Sequence, residues 1–166
     1  MIIRDAMAQD LPGILAIYND VIATSTAVYA AAPVSLEDRA QWLAARQAQG
    51  FPVLVAADGD AVQGFASYGE WRFSGAGYKF TVEHTVHVKA GLRGTGIGRQ
   101  LMQRLIDAAQ TAGLHVMIGA IDADNAASIR FHEKLGFKSV AHFHEVGFKF
   151  NRWLDLVFMQ RLIEAL

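Results

Sequence analysis

Between Val82 and Arg99 the chain reads VEHTVHVKAGLRGTGIGR, and two kinds of chemistry are written there. Glu83 is a carboxylate set between apolar neighbours. A carboxylate kept from water holds its proton more tightly, which suits a general base. Strand alternation puts Glu83, Thr85 and His87 on one face and Val82, His84, Val86 and Val88 on the other. His84, next in sequence, is a candidate to relay the proton or touch a substrate, or else a hydrogen-bonded, half-buried histidine. The second chemistry follows at once. Gly94, Gly96 and Gly98 alternate with other residues directly before the helical rhythm of Ile97, Leu101, Leu105 and Ile106. Such a turn leaves a row of backbone N–H groups aimed outward at the positive end of a helix dipole, a receptor for phosphate oxygens.

The spacing excludes two phosphate binders. Nothing after the last glycine supplies the Lys-Ser/Thr pair of a P-loop, and the third glycine of a dinucleotide fingerprint would fall on Arg99. What fits is Arg-x-x-Gly-x-Gly, here Arg93-Gly94-Thr95-Gly96-Ile97-Gly98, which resembles the acetyl-CoA pyrophosphate loop of the GCN5-related N-acetyltransferase (GNAT) family. Asn125 to Phe137, NAASIRFHEKLGF, resembles that family's later helix, commonly NxxAxxxYxxxGF. Tyr68 to Arg72, Thr81 to Val86 and Lys149 to Asp155 look like the branch that acetylates phosphinothricin and methionine sulfoximine, and this likeness covers nearly the whole chain.

The resemblance implies an α/β fold: a GNAT-type mixed, mostly antiparallel sheet with splayed central strands, flanked by helices. Strands 82–89 and 114–121 are then the splaying pair. Val86, His87 and Val88 pair with the pantetheine arm of acetyl-CoA, and the amide near Val86 donates to the thioester carbonyl. The amides of Gly94, Thr95, Gly96, Ile97, Gly98 and Arg99 take the pyrophosphate. Asn125 reaches the pantetheine or closes the wedge; read without the family it is a helix cap. Arg93 and Lys134 either meet a phosphate or stay as solvated charges. Glu83 is the base, with His84 as relay, and His132 stands where much of the family has a tyrosine near the CoA sulfur, so that an imidazolium would serve as the acid. Arg72, Phe73 and Ser74, with Glu83, His84 and Thr85, contact the substrate; an arginine beside aromatics suits a carboxylate. The product of this reading is acetyl transfer to the α-amine of a small amino acid analogue (methionine sulfoximine, methionine sulfone, phosphinothricin), by direct attack, in a homodimeric enzyme. The alternatives are a protein or peptide N-acetyltransferase and a non-catalytic CoA-binding sensor.

The bulk numbers agree. The chain has 166 residues, enough for one domain spanning 1–166, and 52% are apolar. No apolar run approaches the ~18 residues of a membrane span. MIIRDAMAQD at the start lacks a signal peptide's apolar block, so a cytoplasmic protein is expected, without a membrane partner. A net charge of −1 gives no bulk field to gather nucleic acid. Cysteine is absent, which removes thiolate metal sites and any thiol on which to park an acetyl group. His142 and His144 share a strand face, but no third ligand stands at a useful spacing, so no metal is expected.

The elements that position these groups can be read in order. Met1 to Asp5 is a strand, and Asp10 with Pro12 starts a helix through Ile14, Ile17, Val21 and Ile22. Ala27 to Val34 is extended, and Ser35 caps a helix over Leu36 to Gln49. Strands Pro52–Ala57 and Ala61–Tyr68 flank a hairpin at Asp58-Gly59-Asp60. After a loop, Gly69 to Gly77, come strand Tyr78–Val88, helix Gly96–Ala112, strand Leu114–Ile121 and a helix from Asp124 or Asn125 to Gly136. Val140 to Phe150 and Leu154 to Leu162 close the sheet. Lys149, Arg152, Trp153 and Asp155 then line the acceptor pocket, make a dimer contact, or simply stabilise that hairpin.

Overall fold

The computed structural model describes residues 1–72 and 76–164. Among these, β1 (Ile2–Asp5), β2 (Val53–Asp58), β3 (Ala61–Glu70), β4 (Thr81–Val88), β5 (Val116–Asp122), β6 (Lys138–Lys149) and β7 (Arg152–Leu162) form one sheet in the order β1-β2-β3-β4-β5-β7-β6. The helices are α1 (Leu11–Thr24), α2 (Leu36–Ala48), α3 (Ile97–Thr111) and α4 (Ala126–Glu133). Every strand pair is antiparallel except β4–β5. This is the mixed, mostly antiparallel α/β sheet that the sequence led us to expect.

Strand alternation divides the core in two. Val53, Val55 and Phe65 point to one face and meet Ile14, Ile17 and Leu43 of α1 and α2. Leu54, Ala56, Ala66, Tyr68, Val82 and Met117 point to the other and meet Leu101, Met102, Leu105 and Ala109 of α3. Those α3 positions recur at helical spacing. Each buried leucine contributes about 1.5–3 kcal/mol, which holds the helix that begins at the glycine loop firmly on the sheet. Gly113, at φ 70°, ends the run.

The structure departs from the sequence reading in three places. Residues 27–34 form no strand; side chains satisfy their backbone instead. Asn19 bonds both the N–H and the C=O of Val34, and the Lys149 ammonium donates to the carbonyls of Ile22, Ser25 and Val28 at 2.6–2.7 Å. Asp10 is the N-cap of α1, with Pro12 in the first turn as read, but its side chain makes no cap bond, because the Arg4 guanidinium takes both its oxygens at 2.6 and 2.8 Å, and the Met7 amide adds a third bond. β4 begins at Thr81 rather than Tyr78, since Ala76–Tyr78 coil into a 3-10 turn. Ser35 does cap α2, accepting from the Asp38 amide at 3.1 Å.

Lys149 is thus a strut: it reaches from the end of β6 to the last turn of α1, where helix carbonyls lack partners. Lys149→Met keeps the apolar stem but strands those acceptors. Urea unfolding should show a loss of about 2–3 kcal/mol, in the range of charge-assisted bonds; a loss under ~0.5 kcal/mol would mean that water replaces the ammonium freely.

Candidate active site

The parallel pairing of β4 with β5 is short: Thr81↔Val116, Val82↔Met117, Glu83↔Ile118. Beyond Glu83, β4 stays with β3 as far as Gly64↔Val88, while β5 continues along β7. The strands part. The bonds Trp71 N–H to Thr81 O and Lys89 N–H to Gln63 O bracket β4, so its odd-numbered residues bond to β3. His84, Val86 and Val88 therefore aim their N–H and C=O groups into the wedge. Buried amides left so need partners, and a chain of amides laid alongside can supply them. His87 corrects the expectation for that segment. By the same alternation its backbone faces β3, and its ring packs on Tyr18 and Phe65 at 5.9 and 5.5 Å. Burial, with Arg93 adding, pushes its pKa down to about 4.

At the mouth of the wedge lies the glycine loop. Gly94 and Gly96 have φ 82° and 92°, a region open to glycine, and Gly96 is the N-cap of α3. Among the described residues the amides of Gly94, Gly96, Ile97, Gly98 and Arg99 reach no protein acceptor, while Thr95 turns both its amide and its hydroxyl back to Leu92 O. A row of unpaired donors at a helix N-terminus attracts anions. Arg93 and Arg99 are exposed beside it, and Arg99 and Lys134 also line a groove of about 430 Å³ between α3, α4 and the end of β7. Asn125 caps α4, its side chain accepting from the Ser128 amide at 3.0 Å.

Glu83 and His84 lie on opposite faces of the sheet. Glu83 is half-buried opposite Gly69 of β3, and burial pushes its pKa up while the charge of Arg46 pulls it down. The Arg46 guanidinium, brought in from α2, fills the space that a side chain at Gly69 would occupy. On this face Thr85 is exposed, and Phe158 carries Trp71 at 5.1 Å and Phe143 at 5.3 Å, both edge-on. Arg72 is exposed, at φ 60°, and lines a hollow of about 130 Å³ with Phe51, Trp71 and Tyr78. Phe73 and Ser74 lie outside the described residues. Tyr18 and Trp42 pack on Phe65, so they serve the core, and Tyr29 donates to Asp155 O.

His84 is buried on the far face against His132, their Nε2 atoms 3.2 Å apart. His132 Nδ1 sits 2.7 Å from Ser128 O and must donate to it. That tautomer leaves His132 Nε2 to accept from His84 Nε2–H, so His84 Nδ1 is a lone pair, buried and, among the described residues, without a partner. A Cβ on Gly119 would stand 2.7 Å from His84 Nε2, so only glycine admits the pair where β4 and β5 part. Burial pushes both rings below the usual histidine range. His84 thus lies on the face opposite Glu83, as strand alternation gave it, and is bonded to His132 rather than set to relay a proton to Glu83; burial disfavours the imidazolium expected at His132.

The sequence offered His142 and His144 without a third ligand; the fold brings Asp155 of β7 to them. One carboxylate oxygen lies 2.8 Å from His142 Nε2 and 2.9 Å from His144 Nδ1. The Glu145 amide, then the His142 bond, hold that carboxyl at about 2. The three donors lie within 4.8 Å and are already bonded to one another. Cross-strand register, not spacing, joins them. Arg46 was likewise invisible in sequence, one arginine near the end of an exposed helix pattern.

A sheet whose parallel central strands part beside a loop of unpaired amides has room for an extended, amide-rich ligand that carries phosphate. Residues 14–137 match the acetyltransferase (GNAT) family, and the chain belongs to it. It is 53% identical to the L-methionine sulfoximine/L-methionine sulfone acetyltransferase of Pseudomonas paraeruginosa, over 95% of this chain and 92% of that one. It is 44% identical to the L-amino acid N-acyltransferase MnaT of Escherichia coli, over 96% and 92%. The structure of yncA from Salmonella typhimurium, solved with its cofactor acetyl-CoA, superposes with a TM-score of 0.94 at 45% identity, over 98% and 94%.

The histidine pair sets a pH dependence. Both rings bind protons less readily folded than unfolded, so stability is full above the ordinary histidine value of 6.5 and is lost as pH falls below it. Nitrogen-detected NMR should find both rings neutral at pH 6.5, His132 protonated on Nδ1. A His132 titrating at or above 6.5 would contradict the arrangement.

Proposed function

We propose that this chain transfers acetyl from acetyl-CoA to the α-amine of a small amino acid of the methionine sulfoximine, methionine sulfone or phosphinothricin class, by direct attack within a ternary complex. One observation carries the reading: β4 leaves β5 immediately after Glu83, with the backbones of Val86 and Val88 facing the gap and unpaired amides waiting at its end. The relative of 53% identity supports the substrate class.

In this mechanism the pantetheine arm pairs with Val86 and Val88 and the pyrophosphate sits on the amides of Gly94 to Arg99. The Val86 amide donates to the thioester carbonyl, a contact that strengthens as the oxygen gains charge. Glu83 takes a proton from the substrate ammonium. The freed nitrogen attacks the carbonyl carbon, and the tetrahedral intermediate expels the CoA sulfur as its C–S bond breaks. The nitrogen's surplus proton goes to that sulfur, and Glu83 returns its own to solvent. No cysteine exists to carry the acetyl group, which favours this single displacement. Arg72 offers a fork for the substrate carboxylate, and Thr85 lies on the same face as Glu83. A single catalytic domain is consistent with the one continuous sheet. The exposed Val140, Phe143, Val146, Phe148 and Trp153 of β6 and β7, with Phe150 between the strands, support a homodimer. Among the described residues no helix is long and apolar enough to cross a membrane; a cytoplasmic place of work is part of this proposal.

Thiol release from acetyl-CoA against a panel of amino acids and peptides tests the acceptor. Release with methionine sulfoximine or sulfone is expected; release with peptides alone would point to a protein acceptor, and tight CoA binding without release to a sensor. Glu83→Gln should lower kcat by about 10²–10⁴, the usual worth of a general base, with acetyl-CoA affinity unchanged. Because burial has raised the Glu83 pKa, the wild-type rate should climb with pH through a midpoint above the ordinary 4.5, and the variant should lose that limb. Gly96→Val, forced to φ 92°, should cost the fold only about 1–3 kcal/mol yet weaken acetyl-CoA binding at least ~10-fold by calorimetry. Unchanged affinity would mean that the phosphates bind elsewhere.

A further inference from the structure

We propose that Arg46 is a positioning residue for the reaction: its guanidinium, laid on Gly69 without an ion pair among the described residues, is the fixed countercharge on the Glu83 side of the sheet. The inference rests on Glu83 being the base.

Gly69 is directly opposite Glu83 in the β3–β4 register, so whatever lies over Gly69 is the cross-strand neighbour of Glu83. Three guanidinium atoms of Arg46 take the place of the missing side chain there; alanine would already collide with them. The group is poorly satisfied. Its Nε is buried and, among the described residues, has no partner, and its one hydrogen bond is a 3.5 Å contact to Gln49. An arginine near a helix end can ordinarily swing into water, and a half-buried cation held against a strand without compensation is costly. A negative charge on the same face offsets that cost.

Of the other charged groups nearby, Glu70 acts on the Arg46 cation more than Glu83 does, and the rest are engaged elsewhere. Asp122 of β5 bonds Thr26 and the Asp124 amide, and Arg39 of α2 is bound to Asp38. His87 of β4 is kept neutral by burial, Glu70 and Arg72 are exposed at the end of β3, and Tyr18 of α1 packs on Phe65 and His87. Arg46 alone among them acts on Glu83. No ion pair closes between the two within 4.0 Å. That gap matters. A direct pair would occupy the carboxylate and lower its proton affinity by about 1–3 units, whereas a charge one step away keeps it ionised and leaves its oxygens free for the ammonium.

The test is kcat/KM against pH for wild type, Arg46→Met, Arg46→Lys, Gly69→Ala and Glu83→Gln, with acetyl-CoA affinity and Tm for each. Removing the charge should raise the Glu83 pKa, so Arg46→Met should move the rising limb to higher pH, losing about tenfold on its acid side and recovering to within about twofold above it. Gly69→Ala, which keeps every charge but displaces the guanidinium, should move it the same way. Arg46→Lys should leave the limb near its wild-type position. If Arg46→Met does not fold, Gly69→Ala and Arg46→Lys decide. A fall in Tm with the limb unmoved, while Glu83→Gln abolishes it, overturns the role of Arg46. Full activity in Glu83→Gln overturns the base itself.

Discussion

The molecule depends on two strands that cannot stay together. β4 and β5 pair over three residues and then separate, and a separated sheet is untenable unless its backbone finds new partners. On the α4 side the gap is braced by His84 and His132, two neutral rings in contact over a glycine. Along the gap itself, Val86 and Val88 present backbone groups to whatever enters. The arrangement favours an extended ligand rich in amides, because such a ligand completes the sheet.

Separation of the two faces also separates the chemistry. The side chains of adjacent residues Glu83 and His84 are held on opposite sides of the sheet by the two-residue strand repeat, so they work in different surroundings. The carboxylate shares its side with Arg46, Thr85 and an aromatic row on Phe158, where charge can be tuned and an acceptor admitted. The imidazole is enclosed with Phe137 and His132, where charge is excluded. In the proposed mechanism the first exchanges a proton, while the second holds the wedge open without one.

The outer elements serve this centre at a distance. α3 is pinned by a row of buried leucines and so fixes the loop whose amides end in Gly96. Lys149 ties the far hairpin to the end of α1, and Asp155 gathers Tyr29, His142, His144 and the bulge at Glu145 around one residue. These contacts hold the segment after α1, which has no ladder of its own, against the sheet.

Local signals were enough for the elements and for the loop. Glycines that must adopt positive φ, a serine cap and helical apolar spacing are properties of neighbouring residues, and they survive folding nearly unchanged. So are the two faces of β4, which follow from counting by two. Partnerships across the sheet are different. That His84 meets His132, that Asp155 completes a cluster begun by His142 and His144, and that Arg46 comes to rest on Gly69 all depend on strand register and helix packing. His87 shows the same limit: its type and place suited a cofactor contact, but which side its amide took was decided by the bonds that bracket β4. Sequence therefore determined which groups exist and which way they alternate; the tertiary structure decided which of them touch, because contact between residues dozens of positions apart has no local cause.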